Sequence, residues 1–298
     1  MKFNHAEDLI QLTPMWTGER FADGRPRVSD ALLARLRRIT LEEAWAGVKD
    51  FDFHNQFEGR FHRTHPGRKM VGRAVTAVLV PKRPDLDTTL MNQGLQAEGR
   101  RGFFNQWVID TLVEDDVVVV DLFDKVHEGT YVGGNLSTAI ATRTKRGGAV
   151  IWGGIRDLEQ IEKIPDVQIY YRGTDPTPIM NVTMVGFNTP ARIGNAICMP
   201  GDVVIGTQSG VYFIPPHIAE YVAEDAEKNH VRDIFGFLRL EEKAYTTAQI
   251  DAPWTVPMWE DFLRWFGTDA RAEDYRHLAW EKELQDARSL AAKAGAPQ

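Results

Sequence analysis

Between Val28 and Asp50, in VSDALLARLRRITLEEAWAGVKD, apolar residues recur at helical spacing, and Thr40 followed by Glu43 has the form of a capping box. Two helices are predicted there. FDFHNQFEGRFHRTHPGRK is aromatic and basic without a period and reads as a loop, whereas MVGRAVTAVLV, closed by Pro81, has the β-branched content of a buried strand. From Asp115 the pattern alternates: DDVVVVDL as strand, GG as turn, NLSTAIATRTKR as helix, GG as stop, AVIWGG as strand and IRDLEQIEKI as helix. VQIYYRG, NVTMVGF, ARIGNAICM and DVVIGTQSGVYFIP follow as short strands cut by Pro and Gly, which favours a mixed sheet over a doubly wound parallel one. IPPHIAEYVAEDAEKNHVRDIFGFLRLEEKAY is helical, and beyond it Trp254, Trp259, Phe262, Trp265 and Phe266 alternate with charge at helical spacing, as a core or subunit contact would. The terminal AAKAGAPQ is expected to fray, and no internal repeat is visible.

A chain of 298 residues that is 43% hydrophobic can bury one large core with elaborations or two modest ones. Its 42 acidic and 35 basic residues give a formal charge of -7, with no clustered basic footprint, so nucleic acid is not an expected partner. Cys198 is the single cysteine, which excludes an internal disulfide and argues against a cysteine-based zinc site. The opening MKFNHAEDLIQL lacks the apolar core of a signal peptide, and no later run is long enough to span a bilayer, so a soluble cytoplasmic protein without a membrane partner is expected.

Candidate chemistry concentrates in GGNLSTAIATRTKRGGAVIWGGIRD, Gly133 to Asp157. Gly133 and Gly134 would let the chain leave a strand in a backbone conformation closed to other residues, and the helix after them would present the free amides of Leu136 and Ser137 to an anion. Asn135 stands where it can cap that helix or point into the same pocket. If the two strands are neighbours, Arg156 can pair with a carboxylate or keto oxygen and Asp157 can hold a divalent cation; read alone, the two would be a surface ion pair. His54, Glu58, His62 and His65 form a second polar cluster, with Pro66 against a helix there; a solvated loop or a substrate contact is favoured over a metal role. Arg60 and Arg73 read more readily as a solvated face than as anion contacts.

The stretch from Gly133 to Asp157, preceded by DDVVVVD and followed by MPGDVVIGTQSGVYFIP, resembles the RraA-like family, which includes regulators of RNase E activity and 4-hydroxy-4-methyl-2-oxoglutarate aldolases. The resemblance spans roughly Val28 to Glu224 and is strongest from Asp115 to Pro215. It implies an α/β fold, a swivelling β/β/α domain, with an N-terminal extension over 1–27, the family domain over 28–224 and a C-terminal helical extension over 225–298. It also implies a homotrimer or homohexamer with sites between subunits and, in the aldolases, Mg²⁺- or Mn²⁺-dependent retro-aldol cleavage that releases pyruvate. The aldolase signature is an Asp, twenty intervening residues and Arg-Asp. Carried over, Arg156 binds the pyruvyl group, Asp157 the metal, and the turn of Gly134, Leu136 and Ser137 the carboxylate. Asn135 replaces the first Asp at the same spacing and cannot accept a proton as a carboxylate does. GTQSG, Gly206 to Gly210, also lacks acids that many relatives carry. The expected function is a divalent-metal-dependent lyase, by retro-aldol cleavage or decarboxylation, acting on a small anionic carbonyl compound such as a 2-oxo acid. The alternatives are a hydro-lyase on a related sugar acid and a non-catalytic protein that binds and regulates another enzyme.

Overall fold

The structure, a computed structural model, describes residues 3–294. Met1 and Lys2 of the opening stretch and residues 295–298 of the tail expected to fray lie outside the described residues. The chain divides into two compact units, Met1–Ala223 and Glu224–Gln298.

The first unit begins with α1 (Ala6–Leu12), α2 (Asp30–Leu36) and α3 (Leu41–Lys49). α3 starts where the sequence signals it: the Thr40 amide donates to Glu43 Oε2 at 2.6 Å and the Glu43 amide to Thr40 Oγ1 at 3.2 Å, closing the capping box. The stretch read as a loop contains two short strands, β1 (Phe57–Glu58) and β2 (His62–Arg63). They form by pairing with distant partners at the two ends of the sheet, which local propensity does not reveal. Then come β3 (Met70–Pro81), α4 (Pro84–Asn92), a single π-helical turn (Gln93–Ala97), α5 (Phe104–Ile109), β4 (Asp116–Thr130), α6 (Gly134–Thr144), β5 (Gly148–Ile155) and α7 (Leu158–Ile161). α7 is shorter than its sequence pattern suggests, because the chain turns ahead of Pro165. β6 (Gln168–Tyr171), β7 (Gly173–Thr174), β8 (Val182–Phe187), the hairpin of β9 (Ala191–Ile193) and β10 (Ala196–Cys198), β11 (Val203–Gly206) and β12 (Val211–Ile214) complete it.

The mixed sheet runs β1-β12-β11-β3-β4-β5-β6-β2, with β7 and β8 added on β5 and β3. β3, β4, β5 and β6 are mutually parallel, and β11, β12 and the short end strands are antiparallel. Alternation along β4 sends Val118, Val120 and Leu122 into one core with Phe104, Val108 and Ile140 from α5 and α6. Val117 and Val119 enter a second core with Trp152, Tyr170, Val204 and Phe213. Both faces are therefore covered, which is why the central strands read as unbroken β-branched runs.

Buried charges tie the N-terminal segment to the sheet. Arg25 forks onto Asp116 at the start of β4, at 3.0 and 3.2 Å, and also reaches Asp23 at 2.8 Å. Asp115 receives Arg37 at 2.7 Å and Arg146 at 2.9 and 3.0 Å. Arg73, expected on a solvated face, is 1% exposed; its Nε donates to the Val28 carbonyl at 2.7 Å and its guanidinium pairs with Asp30.

The second unit contains α8 (Ala219–Glu241, whose first turn belongs to the first unit), α9 (Thr247–Ile250), α10 (Val256–Thr268) and α11 (Glu281–Ala294). Trp254, Trp259, Phe262, Trp265 and Phe266 are its core, packed with Phe235 and Trp280, and the Arg232 guanidinium lies over the Trp254 ring at 4.6 Å.

Arg25→Met should strand Asp116 as an unpaired buried carboxylate and cost about 3–5 kcal/mol in denaturant unfolding, most of it recovered in Arg25→Met/Asp116→Leu. Glu58 supplies a pH dependence. Hydrogen bonds from the Arg60 guanidinium, joined by the amides of Arg60 and Asn195, pull its pKa from 4.5 to about 2. A carboxyl whose pKa is lower folded than unfolded stabilises above its unfolded value and loses that contribution as pH falls. Glu58→Gln should therefore lower the melting temperature at pH 7 and flatten its decline between pH 4.5 and about 2.

Candidate functional site

β4 and β5 deliver the two glycine-bounded strand ends to one place. Parallel pairing registers Val117 with Gly148 through Asp121 with Trp152, and after two irregularities Thr130 with Gly154. The ladder runs on past the strands, with the Tyr131 amide on the Gly154 carbonyl and the Arg156 amide on the Val132 carbonyl, each at 3.0 Å. β4 thus extends well beyond the DDVVVVDL run, through left-handed Phe123, Asp124 and Glu128. The site lies at the C-terminal ends of parallel strands, where open α/β sheets commonly place ligands.

Gly133, Asn135, Leu136, Arg156 and Asp157 line one cavity of about 190 Å³. The glycines do not adopt a conformation closed to other residues: Gly133 has φ -130° and ψ -163°, extended backbone open to any side chain. Space is what they provide. A Cβ on Gly133 would stand 2.3 Å from Asp157 Oδ2, and one on Gly134 2.4 Å from Gln160 Oε1. The Gly134 amide donates to Asp157 Oδ2 at 3.1 Å. Arg156 Nε stands 3.7 Å from the same oxygen, with the side chains 41% and 33% exposed, so both heads remain open to a ligand. Asp157 adopts the left-handed conformation, φ 57° and ψ 37°, at the start of α7, and its side chain does not cap that helix. Held backbone strain of this kind is common at functional positions.

Ser137 departs from expectation. Its amide donates to the Gly133 carbonyl at 3.0 Å and so is closed to an anion, its side chain is buried, and Ser137 Oγ has no partner among the described residues. The open amides are those of Asn135 and Leu136, which precede the first intrahelical bond of α6. Asn135 is not the N-cap; Gly133 is, and Asn135 sits exposed in the first turn. Its side chain makes no hydrogen bond within the described chain and borders the cavity.

Asn105, Thr130, Gln160, Pro178 and Ile179 also line the cavity and were not singled out from sequence. Asn105 Nδ2 donates to the Tyr131 carbonyl at 2.7 Å and fixes the strand exit. Pro178 and Ile179 arrive on a loop stapled to β4, with the Glu128 amide on Thr177 Oγ1 and the Met180 amide on the Glu128 carbonyl, each at 2.8 Å. Gln160 lies one helical turn after Asp157, a spacing that would have suggested it.

The second polar cluster does not assemble. Arg60 forks onto buried Glu58 at 2.8 and 2.9 Å, His54 pairs with Asp52 at 2.6 Å, His65 contacts Thr64 Oγ1 at 3.0 Å, and the His62 ring leans on Tyr171. No group of three or more His, Cys, Asp or Glu side chains that could hold a metal ion is present among the described residues. In the cavity Asp157 is the one carboxylate, beside the carboxamide oxygens of Asn135, Asn105 and Gln160. Asn105 Oδ1 already accepts the Gln106 amide at 3.0 Å, so these hard-oxygen donors could supply only part of the shell of a divalent cation and fall short of a protein cage.

An α/β protein with amides, a guanidinium and a carboxylate at adjoining parallel strand ends is the class so defined. The chain belongs to the RraA-like family: the Aldolase/RraA family model matches residues 26–213. Over 118 residues it is 28% identical to a protein of Halalkalibacterium halodurans provisionally named 4-hydroxy-4-methyl-2-oxoglutarate aldolase, covering 40% of this chain and 55% of that protein, so it spans about half the length of the curated relative it matches. Among solved structures, Streptomyces coelicolor RraAS2, described as an unusual member of the RNase ES inhibitor RraA family, superposes with a TM-score of 0.59 at 22% identity over 72% of this chain and all (100%) of that one. An uncharacterised Pseudomonas syringae pv. tomato protein gives 0.60 at 18%, covering 76% and 100%. A chain described among novel cellulases of gut-associated microbes gives 0.57 at 23%, covering 81% and 96%. At these identities the likeness establishes the fold alone. No described helix is long and apolar enough to cross a membrane.

Gly133→Ala should push the Asp157 carboxylate away from the Gly134 amide. Overpacking of this kind costs about 1–3 kcal/mol, and the Gly134 amide should exchange with solvent faster than in the wild type by NMR.

Proposed function

We propose that the chain is a divalent-metal-dependent carbon–carbon lyase acting on a small 2-oxo acid. The observation that carries this reading is the convergence of the Leu136 amide, Arg156 and Asp157 on one cavity, with Asp157 Oδ2 held 3.1 Å from the Gly134 nitrogen. The Asn135 and Leu136 amides, at the positive end of the α6 dipole, would hold the substrate carboxylate. Arg156 would lie against the keto oxygen and stabilise the negative charge that grows there as the bond to C3 breaks, more than it stabilises the ground state. Asp157 would hold Mg²⁺ or Mn²⁺, with Gly134 fixing its orientation. Such an ion, when bound, supplies Lewis-acid polarisation of the keto group.

Asn135 bears on which bond breaks. Retro-aldol cleavage needs a group to take the proton of the 4-hydroxyl, and a carboxamide cannot. Decarboxylation of a 3-carboxylated oxo acid passes through the same enolate and needs no such acceptor. A lining with Asn135 and a single carboxylate therefore suits loss of CO₂ better than aldol cleavage. The family's expected assembly, a homotrimer or homohexamer, would let a second copy add groups to this rim. A non-catalytic regulator of another enzyme is the second reading, and the same Asn135 is the feature that favours it.

With Mg²⁺ or Mn²⁺ the protein should release pyruvate from oxaloacetate faster than from 4-hydroxy-4-methyl-2-oxoglutarate. EDTA or Asp157→Ala should remove the activity, and Arg156→Ala should lower kcat/KM at least about a hundredfold, the scale of losing one transition-state donor. Asn135→Asp should raise the aldol activity. No metal-dependent turnover of any 2-oxo acid would leave the regulator reading.

A further inference from the structure

A second cavity, of about 300 Å³, lies in the first unit and shares no lining residue with the first. Its walls are mostly apolar, with Leu12, Trp16, Phe53 and Ile197 among them, and its polar side chains include Gln56, Asp202 and His217. Trp16 is anchored through Nε1 to the Glu19 carbonyl at 2.7 Å, and the Phe53 ring meets His217 edge-on at 6.0 Å.

Asp202 is the anomaly. Every other buried acid among the described residues has a basic side chain beside it: Glu58 has Arg60 at 2.8 Å, Asp87 has Lys82 at 3.0 Å, Asp115 has Arg37 at 2.7 Å, Asp116 has Arg25 at 3.0 Å, and Glu227 has His277 at 3.2 Å. Asp202, 2% exposed, has none. Its Oδ2 accepts from the Met199 amide at 2.8 Å, and Oδ1 has no hydrogen-bond partner among the described residues. Gln56 Nε2 donates to the Phe213 carbonyl at 2.8 Å, which leaves Oε1 likewise without a partner. Two oxygens of the lining, Asp202 Oδ1 and Gln56 Oε1, thus have no donor, and they stand among aromatic and aliphatic walls with the His217 ring. Such a cavity calls for a ligand with an apolar body and a donor head, and a cation also gains from the aromatic faces.

We propose that this cavity binds a small organic cation, a primary ammonium on an aliphatic or aromatic body, with Asp202 as its counter-ion. The ammonium donates to Asp202 Oδ1 and Gln56 Oε1, and the body fills the space between Trp16 and Phe53. Without a ligand, burial pushes the Asp202 pKa up to about 8, so the empty site holds a proton that the cation displaces. The titratable neighbours stay uncharged at pH 7, since burial raises the Cys198 thiol and lowers the His217 imidazole.

The test is calorimetric titration of the full chain with 2-phenylethylamine, against 2-phenylethanol and 3-phenylpropionate. The amine should bind saturably, with the alcohol and the acid at least about tenfold weaker, and Asp202→Asn, which keeps an acceptor for the Met199 amide, should lose at least about tenfold in amine affinity. Titrations of the wild type at pH 7 in buffers of different ionisation enthalpy should show net proton release on binding, a readout that does not need the variant to fold. Absent saturable amine binding, equal binding of the alcohol or the acid, unchanged affinity in Asp202→Asn, or binding without proton release would each overturn the assignment.

Discussion

The backbone of α6 and the Asp157 side chain approach so closely that no atom fits at Cβ of Gly133. The candidate site is organised by that steric limit, because it sets the Gly134 amide 3.1 Å from Asp157 Oδ2 and so decides where the carboxylate points. Arg156 follows, its backbone N–H donating a hydrogen bond to the Val132 carbonyl of the neighbouring strand exit, and its side chain standing about 3.0 Å from the same Cβ position on Gly133. One close contact therefore orients two functional groups, and it does so through backbone that a packed sheet holds rigid.

That rigidity is anchored at the opposite end of the same strand. Asp115 and Asp116, where β4 begins, are fully buried and bound by Arg25, Arg37 and Arg146, so a segment N-terminal to the sheet and the turn after α6 are tied to its floor. Burying carboxylates is costly unless they are paired, and here each is paired. At β4 and β5 the buried carboxylates, Asp115 and Asp116, stand where β4 begins, and the open pair, Arg156 and Asp157, stands just past the end of β5. Arg73 and Arg156 illustrate the division: one is consumed by Val28 and Asp30, while the other keeps an exposed head beside a cavity.

Asn135 preserves the shape of this site while changing its chemistry. A carboxamide in the first turn of α6 fills nearly the volume of the carboxylate that the resemblance to the aldolases implies at this position, and it differs from that group in charge and in proton acceptance.

The order of the central elements was legible along the chain, since unbroken runs such as VVVV and AVIW require burial on both faces and the Thr40–Glu43 pair marks a helix start without help from elsewhere. The Asn135, Arg156 and Asp157 spacing was read through the resemblance to the aldolases, and it is the pairing of β4 with β5 that brings the three residues to one cavity. What had to wait for the tertiary structure were the properties that arise between distant segments. β1 and β2 are strands only because β12 and β6 hydrogen-bond to them. The glycines serve approach rather than backbone freedom, Ser137 is closed by Gly133, and Asn105 and Ile179 reach the cavity from segments without a readable motif. Periodicity reports which face of an element is buried. It carries no information on what stands opposite that face, and contact distances, hydrogen-bond partners and unpaired acids such as Asp202 are all facts about what stands opposite.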